Sequence, residues 1–179
     1  MRILLIDGAN LHLAAKSIGL SIDYKKLLSL FTEGVDKYRA YFFTAIPSRS
    51  VQSKIHKLVD WLGYNGYILV TKEYKEFYSE RTVETPDGPK TETVLNIKGN
   101  MDIELALHAL RLCEQANDVY ILSGDGDFAP VVAEMQKKST AKVICVSAMS
   151  FCSHELRNQC DGFINLEDIA DEIRQKRIR

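Results

Sequence analysis

Short, nearly continuous apolar runs recur along the chain at residues 3–6, 38–43, 67–70, 119–122 and 142–146, with a weaker one at 163–166. Runs of this kind, rich in β-branched and aromatic residues, read as strands buried on both faces. Such strands need cover above and below. The segments between them supply it. Tyr24, Leu27, Leu28, Leu30 and Phe31 form one helical apolar stripe, and Val51, Ile55, Leu58, Val59 and Leu62 form another that stops at Gly63 and Asn65-Gly66. Residues 103–112 read as a strongly apolar helix. Phe128, Val131, Val132 and Met135 read as the next, with Pro130 in its first turn, and residues 168–173 as a closing helix. Alternation of strand and helix predicts right-handed βαβ units and a three-layer α/β sandwich.

One segment breaks that rhythm. Residues 71–98 are polar, rich in Thr, Tyr, Glu and Lys, and centred on Pro86-Asp87-Gly88, a turn signal in which Pro presets φ and Gly accepts positive φ. The expectation is a β-hairpin arm over 72–97, inserted into a single domain of residues 1–170 and followed by a frayed basic tail over 171–179. With 179 residues and 46% hydrophobic side chains, the chain is long enough to bury a core without disulfide or metal.

The formal charge is −1, from 23 basic against 24 acidic side chains, so a uniformly basic coat for nucleic acid is excluded and any such contact must come from a local patch. The cysteines at 113, 145, 152 and 160 form no C-x-x-C pair, and the eight-residue gap between Cys152 and Cys160 is no zinc spacing. A reduced cytoplasm fits them. The opening MRILLID is too short an apolar stretch for a signal peptide, and no run approaches a membrane span, so no membrane partner is expected.

Acids stand where a parallel sheet binds ligands. Asp7 ends the first run, Asp125 and Asp127 end the fourth, and Asp102 opens the apolar helix, with Glu104 two residues on. Open α/β sheets bind at the carboxyl ends of their strands. If the first and fourth strands are neighbours, these carboxylates converge, which raises their pKa values or demands a counter-ion such as Mg²⁺. A site of that kind activates water and neutralises charge on a phosphodiester. Taken singly, Asp7 or Asp127 reads equally as a turn or an N-cap.

Ile6-Asp7-Gly8-Ala9-Asn10-Leu11, Lys98-Gly99-Asn100-Met101-Asp102 and Ser123-Gly124-Asp125-Gly126-Asp127-Phe128 resemble the NYN domain, in its LabA-like bacterial branch within the PIN-like nucleases. The resemblance runs from Met1 to about Leu166, and Ser153-x-x-Leu156 and Asp161-Gly162-Phe163 extend it. It implies a PIN-like, Rossmannoid parallel sheet of order 3-2-1-4-5 and an Mg²⁺- or Mn²⁺-dependent ribonuclease site acting on RNA, single-stranded by expectation. Asp7, Asp102 and Asp125 would then face the metal and Asp127 would complete the catalytic acids. Asn10 would orient Asp7 or touch substrate, and Ser123 would bond within the cluster. Many relatives carry an Asp six residues after the acid matched to Asp102, where this chain has His108; the two positions point in different directions on one helix, and imidazole suits softer metals.

Residues 47–59 hold Arg49, Lys54, His56 and Lys57 and no acid. Arg49 and Lys54 are candidate substrate contacts, with Ser48, Arg49 and Ser50 at the start of a helix that could hold phosphate, and the same run reads equally as a solvated helix face. Lys98, near Asp102, is a further cation that would contact a phosphate or simply pair with a carboxylate. In the arm, Tyr74, Phe77 and Tyr78 lie among Lys72, Lys75 and Arg81, which suits base stacking, an ordinary half-buried hairpin, or the contact of a homodimer. Two functional readings follow: a metal-dependent ribonuclease, and a weakly catalytic or non-catalytic module binding RNA or protein on the same fold. No Gly-x-Ser-x-Gly elbow or Gly-rich dinucleotide turn is present.

Overall fold

The computed structural model describes the backbone of residues 1–48, 50–51, 53–85 and 88–176, and the side chains of these except 84, 85, 89 and 95–98. Its centre is the first strand, β1 (Arg2–Asp7), in which Ile3, Leu4, Leu5 and Ile6 are completely buried. Successive side chains on a strand point to opposite faces. Leu4 and Ile6 accordingly pack against α1 (Gly8–Ser17), α2 (Tyr24–Thr32), α3 (Lys54–Tyr64) and α7 (Ala170–Ile173). Ile3 and Leu5 pack against α4 (Asp102–Leu112), α5 (Ala129–Lys138) and α6 (His154–Gln159).

On one side β1 pairs in parallel with β2 (Tyr38–Ile46), which pairs with β3 (Ile68–Glu73). On the other side it pairs with β6 (Asp118–Leu122), then β7 (Lys142–Ser147) and β8 (Gly162–Asn165). The sheet therefore has six strands in the order β3-β2-β1-β6-β7-β8, which differs from the expected 3-2-1-4-5. The weak run at 163–166 forms an additional edge strand, short and only half-buried, and the two strands of the arm take the numbers between β3 and β6.

Those two strands, β4 (Lys75–Thr85) and β5 (Gly88–Lys98), pair antiparallel as a separate ribbon. Gly88 carries φ +107, while Pro86 and Asp87 of the turn lie outside the described residues. Lys72 and Glu73, expected in the arm, belong to β3, and Tyr74 N–H donates to Ile46 O to prolong the sheet by one residue. Phe77 and Tyr78 are not half-buried but 48% and 73% exposed.

Two further expectations are corrected, and two helices appear that the apolar pattern did not announce. The helix after β2 begins at Lys54 under a Ser53 cap, so Ser48 and Ser50 precede it and offer no helix N-terminus. Helices α1 and α6 carry no long apolar stripe; their starts are set by the side-chain caps of Asp7 and Ser153. Residues 171–175 are not a loose tail, while 177–179 lie outside the described residues. Ile173 is fully buried, Arg174 bridges Ile22, and Gln175 N–H donates to Ser21 O. No helix among the described residues is long and apolar enough to cross a membrane.

Candidate active site

The connection leaving β1 crosses one face of the sheet and the connection leaving β6 crosses the other. The crevice between the carboxyl ends of these neighbouring strands is the topological switch point, where open α/β sheets take ligands. Asp7 stands there as the N-cap of α1, with its carboxylate accepting Asn10 N–H at 3.0 Å. The next residue has no room for a side chain: a Cβ on Gly8 would lie 2.6 Å from the Phe42 ring. Glycine thus lets α1 start directly under β2 and fixes the direction in which Asp7 points.

A chain of hydrogen bonds ties the two strand ends together. Ser123, 1% exposed, donates to the second oxygen of Asp7 at 3.3 Å and accepts Asp125 N–H at 3.3 Å. Asn10 Oδ1 accepts Gly124 N–H at 2.7 Å. Gly124 is also forced, because a Cβ there would meet Phe151 O at 2.5 Å and Ser147 Oγ at 2.7 Å. Asp125 in turn accepts Asp127 N–H at 3.0 Å, closing the short helical turn 126–128. Below this loop Cys145, fully buried, points its thiol at Ser123 O (3.3 Å) and touches the Cys152 sulfur at 3.6 Å.

Asp102 arrives from the opposite direction as the first residue of α4, with the Asn100 amide donating to one of its oxygens. Its approach depends on Gly99, where a Cβ would lie 2.5 Å from that of Tyr74. Burial holds the Asp7 carboxyl above the ordinary carboxylate range; Asp102 and Asp125 add to this, while Asn10 N–H and the Ser123 hydroxyl oppose it. Burial also raises Asp102, reinforced by Asp125, Asp127 and Glu104 and opposed by Lys72. Asp7 thus feels the charge of Asp102 and Asp125, and Asp102 that of Asp125 and Asp127, while Asn10 and Ser123 bond directly to Asp7.

Among the described residues no group of three or more His, Cys, Asp and Glu side chains is arranged to hold a metal ion. The donors present are hard carboxylate oxygens, of which those of Asp7 and Asp102 have raised proton affinity. Oxygen donors of this class are those that Mg²⁺ or Mn²⁺ takes, through one or two carboxylates with its waters kept.

The remaining expected residues separate. His108 does not join the acids: its Nδ1 sits 2.7 Å from Glu104 O, and its ring packs against Tyr41 and Phe43 with centroids 5.3 and 5.2 Å away. Lys54 is exposed at the start of α3, where it lines a cavity of about 480 Å³ with Gly8 and Ala9, the residues that follow Asp7. His56 is occupied with Pro47 O at 3.0 Å. Arg49 and the Lys98 side chain lie outside the described residues.

Sequence reading missed the pair Lys72–Glu104, in which Nζ reaches both carboxylate oxygens at 2.9 and 3.1 Å. This contact holds Glu104 below the ordinary carboxylate range. The only available signal was Glu104 two residues after Asp102; its partner sits thirty-two positions earlier, in the segment assigned to the arm.

The chain is 29% identical over 170 residues to the "Low amplitude and bright protein LabA" of Synechococcus elongatus, covering 94% of this chain and 84% of that protein. Its fold matches the crystal structure of a Vibrio parahaemolyticus protein of unknown function with a TM-score of 0.72 at 20% identity, over 97% of this chain and 95% of the other. The sequence profile of the NYN domain matches residues 2–167, and the chain belongs to the NYN-domain family.

Proposed function

We propose that this NYN domain is a divalent-metal-dependent ribonuclease with a PIN-like active site at the β1–β6 switch point. One observation carries the reading. Asp7 and Asp102, from β1 and α4, hold their protons more tightly than usual, first because they are buried at the crevice and then because each feels the charge of Asp125 in the β6 loop. Gathering acids with raised proton affinity costs stability, so the arrangement points to function. NYN domains are nuclease-type domains, which favours phosphodiester hydrolysis over other uses of an acidic crevice.

When bound, Mg²⁺ or Mn²⁺ supplies charge neutralisation at the phosphate and a more acidic water. Asp7, Asp102 and Asp125 are the residues that would hold it, with Asp127 completing the acidic wall. The protein's own part is positioning. The Ser123 hydroxyl and Asn10 N–H fix both oxygens of Asp7. Asn10 Oδ1 locks the β6 loop against α1, so the carboxylates of two strands keep one spacing. RNA, single-stranded at the point of cleavage, is the substrate class, Lys54 at the rim is a phosphate contact, and a reduced compartment such as the cytoplasm fits the four free thiols.

The test is hydrolysis of a labelled single-stranded RNA by the purified chain with Mg²⁺ or Mn²⁺ and with EDTA. Metal-dependent cleavage that vanishes in Asp7→Asn and Asp125→Asn supports the enzyme. Cleavage by those variants at the wild-type rate overturns it. A second reading, a weakly catalytic or non-catalytic binding module, is favoured by His108, which occupies a packing position where relatives place another acid. That reading predicts RNA binding without turnover.

A further inference from the structure

We propose that a groove running from the acidic crevice along α1, past the N-terminus of α2 and the flank of α3, is the track on which this domain holds single-stranded RNA; this rests on the ribonuclease reading and adds the path of its substrate. Three adjoining cavities form the groove. The first, about 480 Å³, begins at Gly8 and Ala9, next to Asp7. The second, about 840 Å³, shares His12, Tyr24 and Leu58 with the first. The third, about 810 Å³, shares Gly19, Ser21 and Gln175 with the second and ends among the residues after α7. The groove thus begins one residue beyond Asp7 and leads away from it along α1.

Its chemistry suits a single strand. The lining cations are Lys54, Lys16, Lys25, Lys26, Arg174 and Lys176, against the acids Asp23 and Asp171. Asp23 is already committed, accepting Lys25 and Lys26 N–H at the start of α2. Asp171 lies 3.9 Å from Arg174. Six cations against two acids make this groove locally positive on a chain whose net charge is −1, as a local phosphate-binding patch requires. Aromatic rings are interleaved with these cations. Trp61 is 40% exposed on the wall. Tyr24 is held edge-on against Phe42 and Tyr67, with centroids 5.6 and 6.4 Å away, which makes its ring a rigid platform. A groove of cations with rings for bases to stack on is how single strands are bound without sequence preference. Helix α1, ten residues, is about 15 Å long, room for about four nucleotides at 3.4 Å per nucleotide.

Trp61 is the only tryptophan in the chain, so its fluorescence reports on the groove directly. The experiment uses the full chain carrying Asp7→Asn, so that RNA is bound and not cut, and a fluorescein-labelled twelve-nucleotide oligouridylate. Binding should quench Trp61. Lys16→Glu/Lys25→Glu, made in the same background, should weaken binding at least tenfold and flatten the slope of log K against log salt by about 1.4, or about 0.7 for each phosphate that is no longer neutralised. A folded circular-dichroism spectrum qualifies the double variant, and Trp61→Phe, which should retain stacking while Trp61→Ala loses it, supplies a test without charge reversal.

Unchanged Trp61 fluorescence on RNA binding, or affinity within twofold in both the double variant and Trp61→Ala, would overturn the track. So would a change from dimer to monomer in these variants with RNA affinity intact, because the groove would then be occupied by a second copy. The two proposals fail separately. Wild-type protein that binds RNA through the groove without metal-dependent cleavage keeps the track and removes the enzyme. Wild-type cleavage with groove variants that bind normally does the reverse.

Discussion

Asn10 and Gly124 are hydrogen-bonded side chain to backbone across the crevice, Oδ1 accepting the Gly124 N–H at 2.7 Å, although 114 residues separate them in the chain. The bond joins the first turn of α1 to the loop after β6. Each side brings one of the acids: Asp7 caps that turn, and Asp125 follows Gly124. Asn10 is thus the positioning residue that sets the distance between the carboxylates of two strands. Asn10→Ala should leave the buried Gly124 N–H without a partner, at a cost of about 1–3 kcal/mol. Urea unfolding should report that loss. Cleavage should fall further than stability explains, since folded variant protein would still carry misplaced acids. An unchanged unfolding midpoint would show that water replaces the amide and that the bond positions nothing.

The acids themselves give a signed pH test. Burial and neighbouring charge raise the Asp7 pKa in the folded state. A folded-state pKa above the unfolded one means that the folded protein binds more protons in the window between the two. This group's contribution is therefore most favourable below the unfolded value, near 3.9, and is lost as pH rises through the folded value. Asp7→Asn keeps an oxygen to accept Asn10 N–H and has no charge to lose. Metal-free Asp7→Asn should thus gain stability relative to wild type as pH is raised from about 4 to 7, by about 1 kcal/mol or less. Urea unfolding at several pH values measures the difference. With millimolar Mg²⁺ or Mn²⁺ the gap should shrink or reverse, because wild type alone gains RT ln(1 + [L]/Kd). A difference that is flat with pH would show that Asp7 is not destabilised by its surroundings.

His108→Asp places at position 108 the acid that the family resemblance leads one to expect there. The ring of His108 lies against Tyr41 and Phe43 and its Nδ1 faces the Glu104 carbonyl oxygen. A carboxylate there loses the aromatic packing and opposes a backbone oxygen. Destabilisation of about 1–3 kcal/mol is expected, with no tightening of Mn²⁺ binding. Thermal unfolding with and without Mn²⁺ checks both parts. A larger metal-induced rise in Tm than wild type shows would mean that α4 can turn position 108 into the crevice.

How much of this could be read in advance depends on whether the signal was local. The strands were legible because burial on both faces forces an unbroken apolar run such as residues 3–6. The acids were legible because Asp7 and Asp125 sit at strand ends, where topology fixes direction whatever the detail. Helix α1 was not, since a short helix with exposed His12, Leu13 and Lys16 has too narrow a buried stripe to show a period. Lys72 was read as arm because a charged residue at the end of an edge strand looks like any polar connector. The direction of His108 was undecidable from spacing alone, because its partners Tyr41 and Phe43 belong to a strand more than sixty residues away.

The arm yields a prediction with corrected boundaries. Replacing residues 76–97 with a short Gly/Ser linker removes only the ribbon and leaves Lys72, Tyr74 and Gly99 in place. That variant should be soluble, with circular dichroism of an intact α/β domain, because the six-stranded sheet closes without β4 and β5. Replacing 72–97 also takes the end of β3 and the Lys72–Glu104 pair, and should be less stable by about 1 kcal/mol or more. If the shorter replacement is unfolded, the arm is part of the core.

Lys72 offers a separation of charge effects within the crevice. Its ammonium group pairs with Glu104 and pulls down the proton affinity of Asp102, which burial and three acids push up. Lys72→Gln removes the cation and leaves Glu104 unpaired beside Asp102, so the Asp102 pKa should rise further. If ionised Asp102 is needed for cleavage, the acidic limb of the pH–rate profile moves to higher pH, and most activity is lost on the acidic side while the alkaline side changes little. Glu104→Gln alone removes a repelling charge and retains the cation, so the limb should move to lower pH. Lys72→Gln/Glu104→Gln removes both and should return the limb close to its wild-type position. Lys72→Arg, which keeps the charge, should restore the profile. A purely structural role for the pair would lower activity by one factor at every pH in both single variants, and a limb that stays fixed in all of them would show that Asp102 titrates outside the working range or takes no part in the reaction.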